Sequence, residues 1–234
     1  MAMYEKPDFW SLRAQKEDYP ARSIYKLKEI DEKFHFFKFT NFPKTEVLEN
    51  PQFTDSSKTK VLDNPHSLKV FRVLDLGAAP GSWSLYVLRN YEKNGKKGGL
   101  FLAAVDLNPL SRHFEQTREE FLFIKGDFTA AAVREEIIRH GLYNVIMSDA
   151  APPTTGSRTV DTMRSLALAE EVYSLAESCL VTGGSLVLKV FQGGDTASLL
   201  KKMRECFTNA RSIKPNASRS NSFETYYIGL GKKL

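Results

Sequence analysis

The chain has 234 residues, 42% of them apolar, and a formal net charge of +5, enough to fill one large α/β domain or two small ones. Its two cysteines, Cys179 and Cys206, fall in stretches that read as helical and show neither a CxxC nor a Cys/His spacing, which argues against a disulfide framework or a zinc site and for a reducing compartment. No apolar run approaches the ~18 residues of a membrane span, and MAMYEKPDFW lacks a signal peptide's apolar stretch, so a cytoplasmic protein is expected.

Residues 8–34 read as helical, with Pro20 breaking the pattern near ARSIYKLKEIDEKF. In that second stretch Ile24, Leu27 and Ile30 mark a buried stripe. Lys26 and Lys28 both fall about 40° from its edges at ~100° per residue, so geometry does not choose between them. Residues 35–69, rich in Asn, Pro, Ser, Thr and Lys, read as an insertion or long loop. Within it TEVLENPQ is echoed by TKVLDNPH, a pattern open to a small paired flap or to coincidence.

From residue 72 onward strand and helix patterns alternate. Strands are predicted over 72–76, 100–105, 121–124, 143–148, 185–191, 211–214 and 225–231, and helices over segments that include 130–140, 161–180 and 196–207. Such repetition implies a mostly parallel sheet with helices on both faces. The last segment, 201–234, carries eight Lys/Arg against two acids, a net of +6, which fits either a polyanionic partner such as RNA or solvated helix faces.

The stretch FRVLDLGAAPGSWSLYVL interrupts a strand and a helix with a loop almost without side chains. Ligands of parallel sheets bind beyond the carboxyl ends of the strands. Gly77 and Gly81 let the backbone approach a bound molecule. DLGAAPG does not supply the G-x-G-x-x-G spacing of a dinucleotide site, which disfavours a nicotinamide-dependent oxidoreductase. S-adenosylmethionine needs an open backbone, an acid for its ribose hydroxyls and a polar contact for adenine. Asp106 after the second strand and Asp127 after the third supply the last two in order; each alone also suits a turn or helix cap.

DLGAAPGSW, DLNP, KGDF, SDAAPPTTG and GGSLVLKVFQG, with ARSIYKLKEID before them and SRSNSFETYYI after, resemble the FtsJ (RrmJ-type) ribose 2′-O-methyltransferases across nearly all of residues 8–234 outside the insertion. The resemblance implies a Rossmann-like methyltransferase fold, a seven-stranded sheet with its last strand antiparallel, and cofactor contacts at Gly81, Trp83, Asp106, Asp127 and Asp149. The family usually has glycine where this chain has Ser82, a substitution expected to bring a Cβ near the cofactor. One structural domain is expected, with a helical segment 1–34 contributing a lysine, the insertion 35–69 and a cofactor-binding body 70–234.

Methyl transfer to a ribose hydroxyl needs a group that removes or polarises its proton. Lys189 lies in LVLKVF, a run that reads as a central strand buried on both faces, where a lysine without a role is costly; a strand-end lysine snorkelling to solvent is the bland alternative. Asp149 ends the preceding strand on the same edge and can reach both cofactor and lysine. Lys26 and Glu224 complete a Lys-Asp-Lys-Glu set only through the resemblance. Arg22, Ser23, Arg219 and Ser220 are candidate phosphate contacts, and Phe9, Trp10 and Tyr19 can stack on bases or pack in the core. The expectation is RNA 2′-O-methylation, preferably of large-subunit ribosomal RNA, by a monomer with no metal, DNA or membrane partner. Transfer RNA or messenger cap methylation, or a non-catalytic ribosome-assembly role, are the alternatives.

Overall fold

The strands carry apolar residues on both faces, as a sheet covered from two sides requires. The computed structural model describes residues 8–37, 70–95, 99–114, 121–219 and 221–234; the flap considered within the insertion, and Ser220, lie outside them. Among the described residues seven strands, β1 (Val70–Leu76), β2 (Gly99–Asp106), β3 (Phe121–Lys125), β4 (Tyr143–Ser148), β5 (Leu180–Phe191), β6 (Phe207–Ile213) and β7 (Glu224–Lys232), form one sheet. Its order is β3-β2-β1-β4-β5-β7-β6. β7 is antiparallel to β5 and β6, and the other pairs are parallel. The expected doubly covered, mostly parallel sheet is thus observed.

Alternation along each strand sorts its side chains between two cores. Phe71, Val73, Leu102, Val145, Met147, Val187 and Ile228 face α1 (Phe9–Lys16), α2 (Ile24–Phe34) and α3 (Ser82–Lys93). Leu74, Leu76, Val105, Ile146, Leu188 and Val190 face α4 (Ala131–Arg139), α5 (Arg158–Cys179) and α6 (Thr196–Cys206). Each such buried side chain contributes roughly 1.5–3 kcal/mol relative to exposure. The Asp8 carboxylate caps α1 by accepting from Ser11 N at 2.8 Å. The predicted break near Pro20 is real, and α2 ends at His35, whose φ is 51°.

Two strand boundaries differ from expectation for physical reasons. β5 starts at Leu180 rather than 185, because Gly183 and Gly184 make an irregularity inside the strand instead of a turn before it: Tyr143 pairs with Leu180, but Val145 already pairs with Ser185. β6 starts at Phe207 rather than 211; as the outer strand it buries little beyond Phe207 and Ala210, so its apolar period is faint.

The basic C-terminal segment is partly spent inside the fold. Lys232 Nζ donates to the carbonyls of Ala176, Glu177 and Leu180 at 3.1, 2.6 and 3.0 Å, closing the C-terminus of α5. Lys233 Nζ donates to those of Arg204 and Glu205 at 3.4 and 2.9 Å, at the end of α6. Cations at helix C-termini satisfy orphan carbonyls and oppose the helix dipole. Both cysteines are free thiols at the ends of α5 and α6, and burial pushes the Cys179 thiol up to about 12, which keeps it inert.

Candidate active site

Strand register aligns the candidate residues along the carboxyl edge of the sheet. Leu76 pairs with both Val105 and Ser148, so Gly77 emerges between Asp106 and Asp149. Asp106 pairs with Lys125, which brings Asp127 to the same level. On the other side Ser148 pairs with Leu188, setting Asp149 beside Lys189, which in turn pairs with Tyr226.

Gly77, Ala79, Asp106, Asp127, Asp149 and Pro153 are among the walls of a cavity of about 780 Å³, within the range of ligand pockets. Gly77 has φ 72°, and a Cβ there would lie 2.6 Å from the Cβ of Ala150, so only glycine lets the β1–α3 and β4–α5 loops meet. Asp106 accepts from Ala79 N at 2.9 Å and Asn108 N at 2.8 Å, which aims its carboxylate from the glycine loop. Asp127 accepts from Thr129 N and Oγ1 at 2.9 and 2.8 Å. Each acid therefore braces a turn and walls the cavity at once, so the two readings of these residues are not exclusive.

Gly81 and Trp83 stand outside the cavity wall. Gly81 is the N-cap of α3 with φ 107°, and a Cβ there would collide with the Phe114 ring. Trp83 is buried, its Nε1 donating to Ser23 O at 2.9 Å and its ring 5.9 Å from that of Tyr226. The Ser82 hydroxyl accepts from Ala21 N at 2.8 Å and donates to Ala21 O at 3.1 Å, toward the N-terminal segment.

Next to the cavity lies a charged cluster. Lys189 Nζ is 3.1 Å from Asp149 Oδ1 and donates to Asp149 O at 2.5 Å. Its side chain is 9% exposed, so the snorkelling alternative does not hold. Tyr226, which sequence reasoning missed, donates to Asp149 Oδ1 at 2.6 Å; the available signal was that a tyrosine in a central strand must find a partner for its hydroxyl. Lys26 Nζ is 2.6 Å from Glu224 Oε1 and 5.9 Å from the Tyr226 ring. Lys28 instead turns to the α1 side, where its charge acts on Glu17. Desolvation acts to raise the Asp149 carboxyl, but Lys189, Lys26 and the Tyr226 hydroxyl outweigh it and hold it below its usual range. Tyr226 is pushed well above its usual value by desolvation, then by Asp149 and Glu224.

The supposed RNA contacts divide. Arg22 pairs with Asp8 and donates to Ala217 O at 2.5 Å, so its guanidinium is engaged internally, whereas Arg219 is exposed. Ser23 serves as the N-cap residue of α2. Trp10 and Tyr19 pack against the core, while Phe9 is 67% exposed.

This sheet order, with a glycine loop and two acids on one half of the edge and a Lys-Asp-Lys-Glu cluster on the other, can be compared with known proteins. The family model described as FtsJ-like methyltransferase matches residues 19–232. The chain belongs to the FtsJ-like methyltransferase family. A "Ribosomal RNA large subunit methyltransferase E" of Treponema denticola is 42% identical over 230 residues, covering 98% of this chain and 97% of that one. The protein of the same name from Borrelia duttonii is 38% identical over 226 residues, covering 97% and 96%. Among solved structures, a ribosomal RNA methyltransferase from Plasmodium falciparum superposes with a TM-score of 0.65 at 21% identity, over 92% of this chain and 98% of that one, and shares its fold.

As an FtsJ-like methyltransferase the protein is an RNA methyltransferase that uses S-adenosylmethionine. The residues present fit that molecule. The glycine loop leaves room for a ligand against bare backbone, and the acids at the ends of β2 and β3 suit hydroxyl and amino donors. Among the described residues no helix is long and apolar enough to cross a membrane.

Proposed function

We propose that this enzyme methylates a ribose 2′-hydroxyl of large-subunit ribosomal RNA in the cytoplasm. The observation that carries the reading is the interlocked pair of ion pairs, Lys189–Asp149 and Lys26–Glu224, joined through Tyr226 at the cavity's edge. The similarity to proteins named for large-subunit ribosomal RNA supports the choice of substrate.

S-adenosylmethionine supplies an electrophilic methyl carbon on a sulfonium. The Asp106 carboxylate would accept from its ribose hydroxyls and Asp127 from its adenine amino group, while Gly77 keeps the wall thin. Gly81 and Trp83 act through the backbone turn they hold at the start of α3. Asp149 borders the cavity and orients Lys189, whose Nζ would polarise the acceptor hydroxyl as the ammonium or, once it has lost a proton, take the hydroxyl's proton as the neutral amine. Lys26 and Glu224 hold the hydroxyl for in-line attack. A desolvated cluster favours this work, because its charges act on the reacting oxygen with little solvent screening. The 2′-hydroxyl is also what distinguishes RNA from DNA.

The test is to incubate the protein with methyl-labelled S-adenosylmethionine and, separately, large ribosomal subunits, free large-subunit RNA and transfer RNA, then to digest the product to nucleosides. A labelled 2′-O-methylnucleoside from the large-subunit RNA is expected. Label on a base contradicts the mechanism, and label in transfer RNA alone overturns the substrate. Lys189→Ala is expected to lower kcat by about 10²-fold or more while leaving binding of S-adenosylhomocysteine intact.

A further inference from the structure

Lys26 is the member of the charged cluster that does not ride on the sheet. Its position depends on how α2 is docked, and the N-cap of α2, Ser23, makes no side-chain capping bond of its own. The docking bonds come instead from the residues directly after the glycine loop. Ser82 Oγ accepts from Ala21 N at 2.8 Å and donates to Ala21 O at 3.1 Å, and Trp83 Nε1 donates to Ser23 O at 2.9 Å. Ser82 is 1% exposed, so solvent does not compete for these bonds. On its other flank α2 is tied to the segment before β7, where the Glu29 carboxylate accepts from Asn216 N and Nδ2 at 2.8 and 3.1 Å.

A glycine at position 82 would have no side chain to make either bond. We propose that Ser82 is a positioning residue for Lys26: by gripping both backbone groups of Ala21 it fixes the start of α2 against the loop that shapes the cofactor cavity. The inference rests on the methyl-transfer reading and deepens it. The turn that frames the donor also sets the reach of Lys26 toward the acceptor hydroxyl. Trp83 reinforces the coupling, since its ring packs on Tyr226, whose hydroxyl holds Asp149.

Ser82→Ala, Ser82→Gly and Trp83→Phe are compared with wild type in three measurements: kcat on large ribosomal subunits, calorimetric binding of S-adenosylhomocysteine, and hydrogen exchange across residues 21–28. Truncating the hydroxyl leaves the Ala21 N–H without the Ser82 acceptor and its C=O with only the long 3.5 Å bond from Ile24 N, so kcat is expected to fall about tenfold. Binding affinity and stoichiometry stay unchanged, and exchange quickens at 21–28 but not in β4 or β5. Trp83→Phe keeps a ring against Tyr226 and loses only the bond to Ser23, so it shifts kcat and exchange the same way even where a Ser82 variant fails to fold. Wild-type kcat and wild-type exchange in a folded Ser82→Ala protein overturn the inference. A kcat loss matched by an equal loss of binding sites does so too. A wild-type enzyme that labels none of the subunits overturns the functional reading instead, and the exchange data then still decide what Ser82 does.

Discussion

Asp75, one residue before the last of β1, is 1% exposed and bonded by Ser84 Oγ at 2.7 Å. Its Oδ1 has no hydrogen-bond partner among the described residues. Desolvation pushes it up to about 7 from an ordinary 3.8, partly opposed by Ser84 and reinforced by Asp149 and Asp106. The native state therefore binds more protons than the unfolded chain between about pH 4 and 7, and stability falls as pH rises through that window, by on the order of 4 kcal/mol. Asp75→Asn should remove that slope, read as the melting temperature across pH 4–8; an unchanged slope would show that Asp75 is not its source. Tyr226 offers a second prediction. Its hydroxyl helps hold Asp149 ionised, so Tyr226→Phe should move the acidic limb of the kcat profile to higher pH and lower the plateau rate.

Helices and strands are held in place by bonds that cross long stretches of sequence. α2 and the residues leading into it are fastened by Ser82 and Trp83 on one side and by Asn216 and Ala217 on the other, and these bonds flank the turn that carries Lys26 to Glu224. α5 is closed by Lys232, whose Nζ meets three carbonyls at its end. Lys232→Ala should lower stability by about 1 kcal/mol, a melting shift of roughly 3 °C for a domain of this size, with kcat unchanged because the contact lies at the other end of the helix from the cavity wall formed by Arg164 and Leu168. A loss of RNA affinity without loss of stability would return that lysine to the RNA surface.

Across the sheet the carboxyl edge divides into a cavity-lining half, over β3, β2, β1 and β4, and a charged-cluster half, over β4, β5 and β7, which the proposed function reads as the donor and acceptor sides, with Asp149 belonging to both. Because the cavity requires all four donor strands in register, a ligand there should stabilise the folded chain by about 2.7 kcal/mol at a hundred times its Kd. S-adenosylhomocysteine should thus raise the melting temperature of wild type, and Asp106→Ala should abolish most of the shift.

Much of this architecture could be read from local pattern. Strand and helix alternation, the small-residue loop at 77–81, an acid after each of two successive strands and a lysine inside an apolar run are properties of neighbouring residues, and local sterics and burial demand them wherever the chain ends up. Other features arise only when distant segments meet. The pairing of Lys26 with Glu224, the capture of Arg22 by Asp8, the bonding of Ser82 to Ala21, the partner of Tyr226 and the helix-closing use of the last two lysines each join residues remote along the chain. A hydrogen bond or ion pair between such residues leaves no periodic trace in the sequence, because its geometry is set by the packing of the sheet between its two helical layers and not by either residue's neighbours.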